Sequence, residues 1–545
     1  MLPDARDARA SGRPDPAEPP GSNRLATPMA LKADLVLHDG TILGHPDSDS
    51  IAVAGGSILA LGPFAQLKSL VGSRTHLIGL AGRVVAPGFI DSHLHFLEGA
   101  AAAAGVRLWR YRQLDDLLAE LRVAASKSPP GNWLRAFGCD EALLAERQGP
   151  TRAQLDTAVP KNPLRLRHQT LHASWLNSRA IAALSLEAPD FKPPAGAVLM
   201  RDATGRLTGL VAGMEEYISR RLPRVTQAEL EARARLFSRE MAAAGVTAFT
   251  DATVRNGPEE VGVMARLVNA RAVPQRVSMM LGAPYLDQLE AAARAAKSAA
   301  IPLLAVKFME SPRTDHRPIA HWVARARMAG LDSAFHCTEV EDLELALNAL
   351  ETAARGMPAA AEGAPVFRIE HGGVITAEQM ERLKALGAWV VTNPGFAYYR
   401  GAKYVTEPGL MPYLYRARSL LDAGIEVAAA TDAPVTPARP LAAIASAAMR
   451  SSLEGYEIGL SERIPIAQAF KLFTTQAARL GRLNAGELAA GRFADLIVLP
   501  RDPLKLKPAE LMNLPVDIAI IGGRVVFERG RPEIAASPGA DLFSA

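Results

Sequence analysis

The feature that most constrains the fold is a unit that recurs through the middle of the chain. Each unit is a short apolar run that ends in a polar or ionisable residue, followed by a helical stretch such as TQAELEARARLFSREMAAAG. Continuous Val, Ile, Ala and Phe runs are typical of parallel strands that are buried on both faces. Eight runs occur: VVAPGFIDSHLHF, GVTAFTDA, QRVSMMLGA, LLAVKFME, DSAFHCT, VFRIEHG, AWVVTNP and IEVAAATDAP. A (β/α)₈ barrel needs eight, so we predict an α/β fold of this TIM-like type.

Short β segments flank these units at both ends of the chain. ADLVLHDGTIL and DSIAVAGGSILALGP precede them, and FADLIVL and VDIAIIGGRVVFERG follow, with Asp-Gly and Gly-Gly turns between strands. We predict a small β-sandwich domain from residues 32–85 and 485–530, with the barrel over 86–484. An insertion at 99–225 follows the first strand, where it would form a lid or pocket on the catalytic face. Residues 1–31 are predicted to be a disordered tail.

Composition and charge restrict the partners of the chain. The formal net charge is only +4 over 545 residues, and Lys and Arg are scattered, which argues against nucleic acid and anionic membranes. No apolar window of ~18 residues predicts a membrane span, and the first thirty residues lack the apolar core of a secretory signal. The two cysteines, Cys139 and Cys337, are a number typical of a reducing cytoplasm. We expect a cytoplasmic protein that binds a small-molecule substrate, with a homo-oligomer left open.

Potential metal ligands stand at the ends of the apolar runs. His93 and His95 end the first run, and alternation along a strand sends both imidazoles to the same side. A lysine, two histidines and an aspartate lie on the fourth, fifth, sixth and eighth runs: Lys307, His336, His371 and Asp432. Imidazole and carboxylate suit Zn²⁺ and similar divalent ions. The pattern predicts a metal centre of one or two ions, with zinc as the first expectation. The place of Lys307 in it depends on the other five residues.

Several of these motifs resemble those of the amidohydrolase superfamily. PGFIDSHLHF is similar to the first-strand signature of that superfamily, and TDAPV is similar to its eighth-strand aspartate motif. The terminal β-sandwich and AGRFADLIVL also match its architecture. RAQLDTAVPKNPLRLRHQTLHASWLNSRAI, GVTAFTDA and YRARSLLDAGIEVAAATDAPV resemble the subgroup that includes N-substituted formamide deformylases, within amidohydrolase family 3. The resemblance covers nearly all of residues 32–530.

The resemblance implies a role for each potential ligand. In similar proteins the strand-one histidines bind one metal, a carboxylated lysine can bridge two metals, and two later histidines hold the second. By position these roles fall on five residues: His93, His95, Lys307, His336 and His371. The eighth-strand aspartate, Asp432, would touch metal and move protons. Many relatives continue after the lysine with an Asp-Gly-containing stretch, whereas this chain reads Phe-Met-Glu-Ser-Pro, which leaves metal number and substrate scope open.

The activity implied by the resemblance is hydrolysis of a non-peptide C–N bond in a small amide or formamide-like compound. A divalent metal lowers the pKa of bound water towards ~7, and the resulting hydroxide would attack the carbonyl carbon. Asp432 would take the water proton and pass it to the departing amine. Deamination, decarboxylation and isomerisation on the same metal barrel remain alternatives. A non-catalytic scaffold is a further alternative, although retention of all six positions argues against it.

The insertion contributes the expected substrate contacts. His172, Trp175 and Asn177 lie in the segment LHASWLNSRA, where the subgroup resemblance is strong. We predict that these three residues bind substrate. The alternative interpretation is a packed segment in which Trp175 is buried and His172 bonds to the backbone.

Overall fold

The computed structural model describes residues 32–194, 196–309, 316–355 and 363–531. The tail predicted for residues 1–31 lies outside the described residues. None of the helices in the described part of the chain combines the length and the apolar character needed to cross a bilayer.

A parallel sheet of eight strands forms the centre of the structure. Each strand pairs with the next one along the chain, and all of these pairs are parallel. All eight predicted runs are strands of this sheet, so the predicted α/β barrel is confirmed. In chain order the strands are Phe89–Leu94, Val246–Asp251, Arg276–Gly282, Leu303–Phe308, Asp332–Cys337, Phe367–His371, Trp389–Thr392 and Val427–Ala429.

The ends of the first and eighth barrel strands meet through backbone hydrogen bonds. The Asp432 N–H donates to the His93 carbonyl at 3.0 Å, and the His95 N–H donates to the Ala433 carbonyl at 2.8 Å. In a parallel barrel all carboxyl ends of the strands lie on one face. These bonds therefore join the first and last strands on the face that collects the predicted ligands.

Helices surround the barrel and bury their apolar faces against it. The helix Gln227–Ala243 is typical: it begins with a capping box between Thr226 and Glu229 and buries Phe237 and Met241, one turn apart. The other helices of the barrel are Phe96–Ala103, Pro258–Asn269, Leu289–Lys297, His316–Met328, Val340–Ala354, Ala377–Leu386, Gly395–Tyr399, Gly401–Tyr404, Ala417–Asp422, Pro440–Met449, Ile466–Leu472 and Thr475–Leu480.

The segment between the first and second barrel strands carries a six-stranded sheet of its own. Its strands, in spatial order, are Val198–Arg201, Leu207–Ala212, Ala173–Leu176, Leu164–His168, Leu134–Cys139 and Val106–Arg107. Its helices are Leu114–Lys127, Arg152–Ala158, Ser178–Ala183 and Glu215–Arg221. The insertion is therefore a packed α/β unit and not a simple loop.

Two further sheets bring the ends of the described chain together. One contains Ser57–Gly62, Ser50–Ala54, Leu35–His38 and His76–Gly79. The other contains Thr41–Ile42, Val84–Pro87, Leu496–Leu499, Ile518–Ile521 and Arg524–Glu528. Leu37 and Ile51 from the first sheet pack with Val85, Leu496 and Ile520 from the second in one hydrophobic cluster. Two sheets that share one hydrophobic cluster form a β-sandwich, and this one is built from both terminal regions, as predicted.

Candidate active site

Two histidines and an aspartate converge where the first and eighth barrel strands meet. The Nε2 atoms of His93 and His95 lie 3.6 Å and 3.1 Å from the same oxygen of Asp432, Oδ1. The ligand atoms of these three residues all lie within 4.8 Å of one another. His93 and Asp432 are buried, whereas the His95 side chain is 20% exposed. Strand alternation thus places both imidazoles on one side. Barrel closure brings Asp432 to them, although it lies 337 positions after His95 in the chain.

Hydrogen bonds on the far side of each ring orient these two imidazoles. His93 Nδ1 lies 2.6 Å from a Glu370 carboxylate oxygen, and His95 Nδ1 lies 2.9 Å from the Thr253 hydroxyl. Arg368 in turn donates to Glu370 at 2.8 Å. A carboxylate can only accept from Nδ1–H, so the other nitrogen of His93 carries a lone pair that faces Asp432.

A second pair of histidines stands on the fifth and sixth barrel strands. His336 Nδ1 and His371 Nε2 are 3.0 Å apart. His371 Nδ1 donates to the Asn393 side-chain oxygen at 2.8 Å, and the Asn393 amide group donates to the Ala430 carbonyl, which fixes its orientation. Burial lowers the pKa of His336 and of His371 below the usual range. Both rings are therefore neutral, which is the form that binds metal.

Lys307 is buried on the fourth barrel strand without a hydrogen-bond partner for its amine. The residue is 2% exposed, and its Nζ atom makes no hydrogen bond to a described residue. Burial lowers the pKa of the Lys307 amine to about 8, so a larger fraction of it is uncharged near neutral pH than in an exposed lysine. A buried amine without an acceptor indicates that something else completes its environment.

Unusual backbone conformations place two of these side chains. His371 and Asp432 have φ angles of 73° and 59°, in the left-handed region that non-glycine residues rarely adopt. The Asp91 carboxylate accepts from both the backbone N–H and the hydroxyl of Thr431, the residue before Asp432. Strain of this kind, of order 1–3 kcal/mol per residue, is typical of functional sites.

The donor set of this site fits a divalent cation. The Asp432 Oδ1 atom is buried without an accepted hydrogen bond, although a lone pair of His93 faces it. Lone pairs that point at one another repel unless a proton or a cation lies between them. Burial also lowers the pKa of His93 well below its usual range, which disfavours the proton. Imidazole nitrogens with a carboxylate oxygen are common ligands of zinc and neighbouring ions.

The site opens into a cavity of about 310 Å³ between the barrel and the insertion. His95, Lys307, His336, His371 and Asp432 line its floor. The walls mix apolar and charged side chains, among them His172, Val374, Phe396, Arg400, Tyr404, Leu414 and Tyr415. Both its size and its mixed lining suit a small organic molecule.

The three predicted substrate contacts of the insertion are not brought together. His172 lines the cavity, with its ring centroid 6.5 Å from that of His336. Trp175 instead packs in a hydrophobic cluster of the insertion and is 4% exposed. Asn177 caps the helix Ser178–Ala183, and its amide makes four hydrogen bonds to backbone groups. Of the three residues, only His172 is placed to meet a bound molecule.

Sequence reasoning did not identify Glu370 or Asp91 as site residues. Glu370 directly precedes His371, so simple alternation would place the two side chains on opposite sides of the strand. The left-handed conformation of His371 breaks that alternation. The EH pair in VFRIEHG was the available signal for Glu370, as the D-x-H spacing in DSHLH was for Asp91.

Comparison with known proteins places this geometry in context. A family model described as "Amidohydrolase family" matches residues 76–527. N-substituted formamide deformylase of Arthrobacter pascens is 25% identical over 530 residues, covering 88% of this chain and 95% of that protein. A putative amidohydrolase of Bacillus subtilis, YtcJ, is 27% identical over 526 residues, covering 90% and 98%. The crystal structure of an uncharacterized metal-dependent hydrolase from Pyrococcus horikoshii matches with a TM-score of 0.68 at 21% identity, covering 87% and 99%.

Proposed function

The chain belongs to the amidohydrolase family, and from this premise we propose that it hydrolyses a small N-substituted formamide or a closely related amide. Members of this family are metal-dependent hydrolases that act on C–N bonds, and this chain is one of them. The observation that carries the proposal is the convergence of His93, His95 and Asp432 on one point at the floor of the cavity. The formamide substrate is suggested by the deformylase relative and by the small volume of the cavity.

We assign the metal ligands by position. His93, His95 and Asp432 would hold one ion, and His336 and His371 would hold a second, with carboxylated Lys307 bridging the two. We propose zinc, since imidazole-rich sites with one carboxylate suit it. When bound, a divalent cation supplies a Lewis acid and lowers the pKa of water towards ~7.

The side chains of the chain itself supply the proton transfers and the positioning. Burial opposes ionisation of Asp432, but the His95 ring, whose Nε2 lies 3.1 Å from Asp432 Oδ1, outweighs it and holds the pKa of the carboxyl below the usual range. An ionised Asp432 can accept the proton of the attacking water and deliver it to the amine nitrogen, which cannot depart as an anion. His172 would position the substrate through hydrogen bonds. Burial lowers the pKa of His172 to about 4, so its ring is neutral and has one nitrogen that donates and one that accepts.

The proposed function is tested by a panel of small amides and ring amines assayed with the zinc-loaded protein. Formate and amine should appear in equal amounts from N-substituted formamides. Chelation should stop the release, and added metal should restore it. Ammonia release from an aromatic ring amine, without amide cleavage, would favour the deaminase alternative instead.

The two-ion version of the site makes a prediction about Lys307. Lys307→Ala should lower the metal content from about two ions to about one per chain, because the bridging ligand is lost. Turnover should fall, and short carboxylic acids should partly restore it by occupying the position of the lost carboxylate. Metal analysis and rescue kinetics measure both effects. Two ions retained in Lys307→Ala would contradict the bridging role and leave the one-ion hydrolase.

Substitutions at His172 and Asn177 should have different effects, although both residues lie in one short segment. The first should affect substrate binding and the second the stability of the fold. His172→Gln should change KM or substrate preference several-fold with the metal content unchanged. Asn177→Ala should lower the free energy of unfolding by about 2–3 kcal/mol, because it leaves several buried backbone groups without partners. Kinetics and denaturant unfolding of both variants test this, and unchanged kinetics in His172→Gln would return His172 to a structural role.

We also place the protein in the cytoplasm. Cys139 and Cys337 are both buried and unpaired, which fits a reducing compartment.

A further inference from the structure

Arg400 differs from the other buried arginines of the described chain. Arg450, for example, donates to the backbone carbonyls of Leu414, Tyr415 and Gly459. Arg400 is 7% exposed, yet its guanidinium makes no hydrogen bond to a described residue, and its Nε atom is buried. A guanidinium offers five N–H donors, and burying them without acceptors is costly. The buried arginines that do donate hydrogen bonds are Arg165, Arg167, Arg368 and Arg450.

The guanidinium of Arg400 faces the same cavity as the metal-ligand candidates. Arg400 lies between the helices Gly395–Tyr399 and Gly401–Tyr404 and lines the cavity wall. Its Cζ atom is 5.3 Å from the ring centroid of Phe396, and that ring stacks at 6.3 Å on His371. A single aromatic ring therefore separates the guanidinium from the candidate metal site.

The nearest carboxylate does not satisfy this guanidinium. Asp140 Oδ2 lies 3.7 Å from Arg400 Nη2, which is too long for a hydrogen bond. The other oxygen of Asp140 already accepts from the Ala142 N–H at 3.0 Å and lies 3.6 Å from His168 Nε2. Asp140 Oδ2 itself makes no hydrogen bond to a described residue, so the contact is a long ion pair at the Nη2 end of the guanidinium. The remaining donors of Arg400 have no acceptor among the described residues.

Two tyrosines, the buried Tyr415 and the half-buried Tyr404, add a further donor beside Arg400. The hydroxyls of Tyr404 and Tyr415 are 2.8 Å apart, so one donates to the other. The hydroxyl that accepts keeps its own hydrogen, which is then free to donate to a bound group. Both residues line the cavity. Burial raises the pKa of each phenol, so both stay neutral and act as donors.

We propose that Arg400 and the Tyr404–Tyr415 pair form a carboxylate-binding subsite, so that the substrate is an amide that carries a carboxylate, such as an N-formyl or N-acyl amino acid. Guanidinium binds carboxylate through parallel, charge-assisted hydrogen bonds, and the phenol supplies a third donor. Phe396 and Leu414 offer apolar surface for the part of the molecule between the carboxylate and the amide. This assignment of substrate class rests on the proposed amide hydrolysis.

The kinetic test compares two formamides that differ only in the carboxylate. N-formylleucine, as both enantiomers, and N-(3-methylbutyl)formamide are assayed with the zinc-loaded wild type and with Arg400→Gln. The wild type should prefer one enantiomer of the acid over the neutral amide in kcat/KM. Arg400→Gln should lower this preference roughly 10- to 100-fold, mainly through KM. Lys384→Gln removes an exposed cation of the helix Ala377–Leu386, which does not line the cavity, and should keep the preference. A preference equal in wild type and Arg400→Gln, or a wild type that favours the neutral amide, would overturn the subsite.

If neither formamide is hydrolysed, that result contradicts the proposed function but not the subsite. A binding measurement then tests the subsite directly. 4-Methylpentanoate has the same carbon skeleton and carboxylate without an amide. Calorimetric titration of the zinc-loaded protein should give binding at least ~10-fold weaker in Arg400→Gln. Tyr404→Phe, which removes one hydroxyl, should give an intermediate loss and serves if Arg400→Gln does not fold. Equal binding to all variants, or no binding to the wild type, would overturn the subsite.

Discussion

Alanine at His93 or His95 is expected to remove bound metal and to abolish turnover. Both Nε2 atoms face Asp432 Oδ1, so either substitution removes one of the three ligand atoms that lie within 4.8 Å of one another at this site. Loss of the metal returns water from a pKa near ~7 to that of bulk solvent, so we expect a loss in kcat on the order of 10³-fold or more. Metal analysis and kcat on the same preparations measure both effects.

Two further variants sharpen this prediction. His76→Ala removes an exposed histidine of the terminal sheet and should leave metal content and kcat unchanged. Glu370→Gln keeps the shape of the side chain but weakens the bond that orients His93, so metal affinity should fall about 10- to 100-fold. Full metal occupancy and normal turnover in the His93/His95 double variant would remove these residues from the metal site.

Asp432→Asn should abolish proton transfer at this position while the protein still binds metal. Asparagine keeps the shape of the side chain and one coordinating oxygen, but it cannot accept the proton of the attacking water. We expect kcat to fall roughly 10²- to 10⁴-fold, the usual contribution of a positioned acid–base group. KM should change much less, because the lost interaction belongs to the transition state. At least one metal should remain, since the histidine ligands are intact.

The measurement is kcat, KM and metal content on Asp432→Asn beside the wild type. Thr436→Ser is a suitable control, because Thr436 lies on the same loop and donates to the Thr431 carbonyl, a bond that serine can keep. The control should retain turnover. Near-normal kcat in a metal-replete Asp432→Asn would exclude this aspartate from the mechanism.

The strand ends could be predicted from sequence because the barrel imposes a simple rule. Parallel strands in a closed sheet present their carboxyl ends on one face, whatever their separation along the chain. Once the eight runs were recognised, His93 and Asp432 were expected near each other, and barrel closure brings them together. The apolar runs and their order along the chain can be read directly from a single sequence.

The strands and the substrate contacts of the insertion could not be predicted in the same way. Its sheet mixes parallel and antiparallel pairs. The strand Leu207–Ala212 is buried at alternate positions, but its sequence, LTGLVA, does not alternate between apolar and polar residues. The segment LHASWLNSRA resembles the deformylase subgroup and was predicted to bind substrate, yet Trp175 packs in the insertion core and Asn177 satisfies a helix end. Which of three neighbouring polar or aromatic side chains meets the cavity depends on how the insertion docks on the barrel.

The sequence by itself determined the barrel, the β-sandwich and the set of candidate ligands at the strand ends, because periodic burial and chain order encode them. The tertiary structure alone decided which distant groups serve those ligands. Glu370 reaches His93 across 277 positions, and the left-handed backbone at His371 accompanies the departure of its own side chain from simple strand alternation. Arg400 is exceptional only because, once folded, it is buried while its guanidinium makes no hydrogen bond to a described residue. Hydrogen-bond satisfaction is a property of three-dimensional neighbours, and no local pattern in the chain records it.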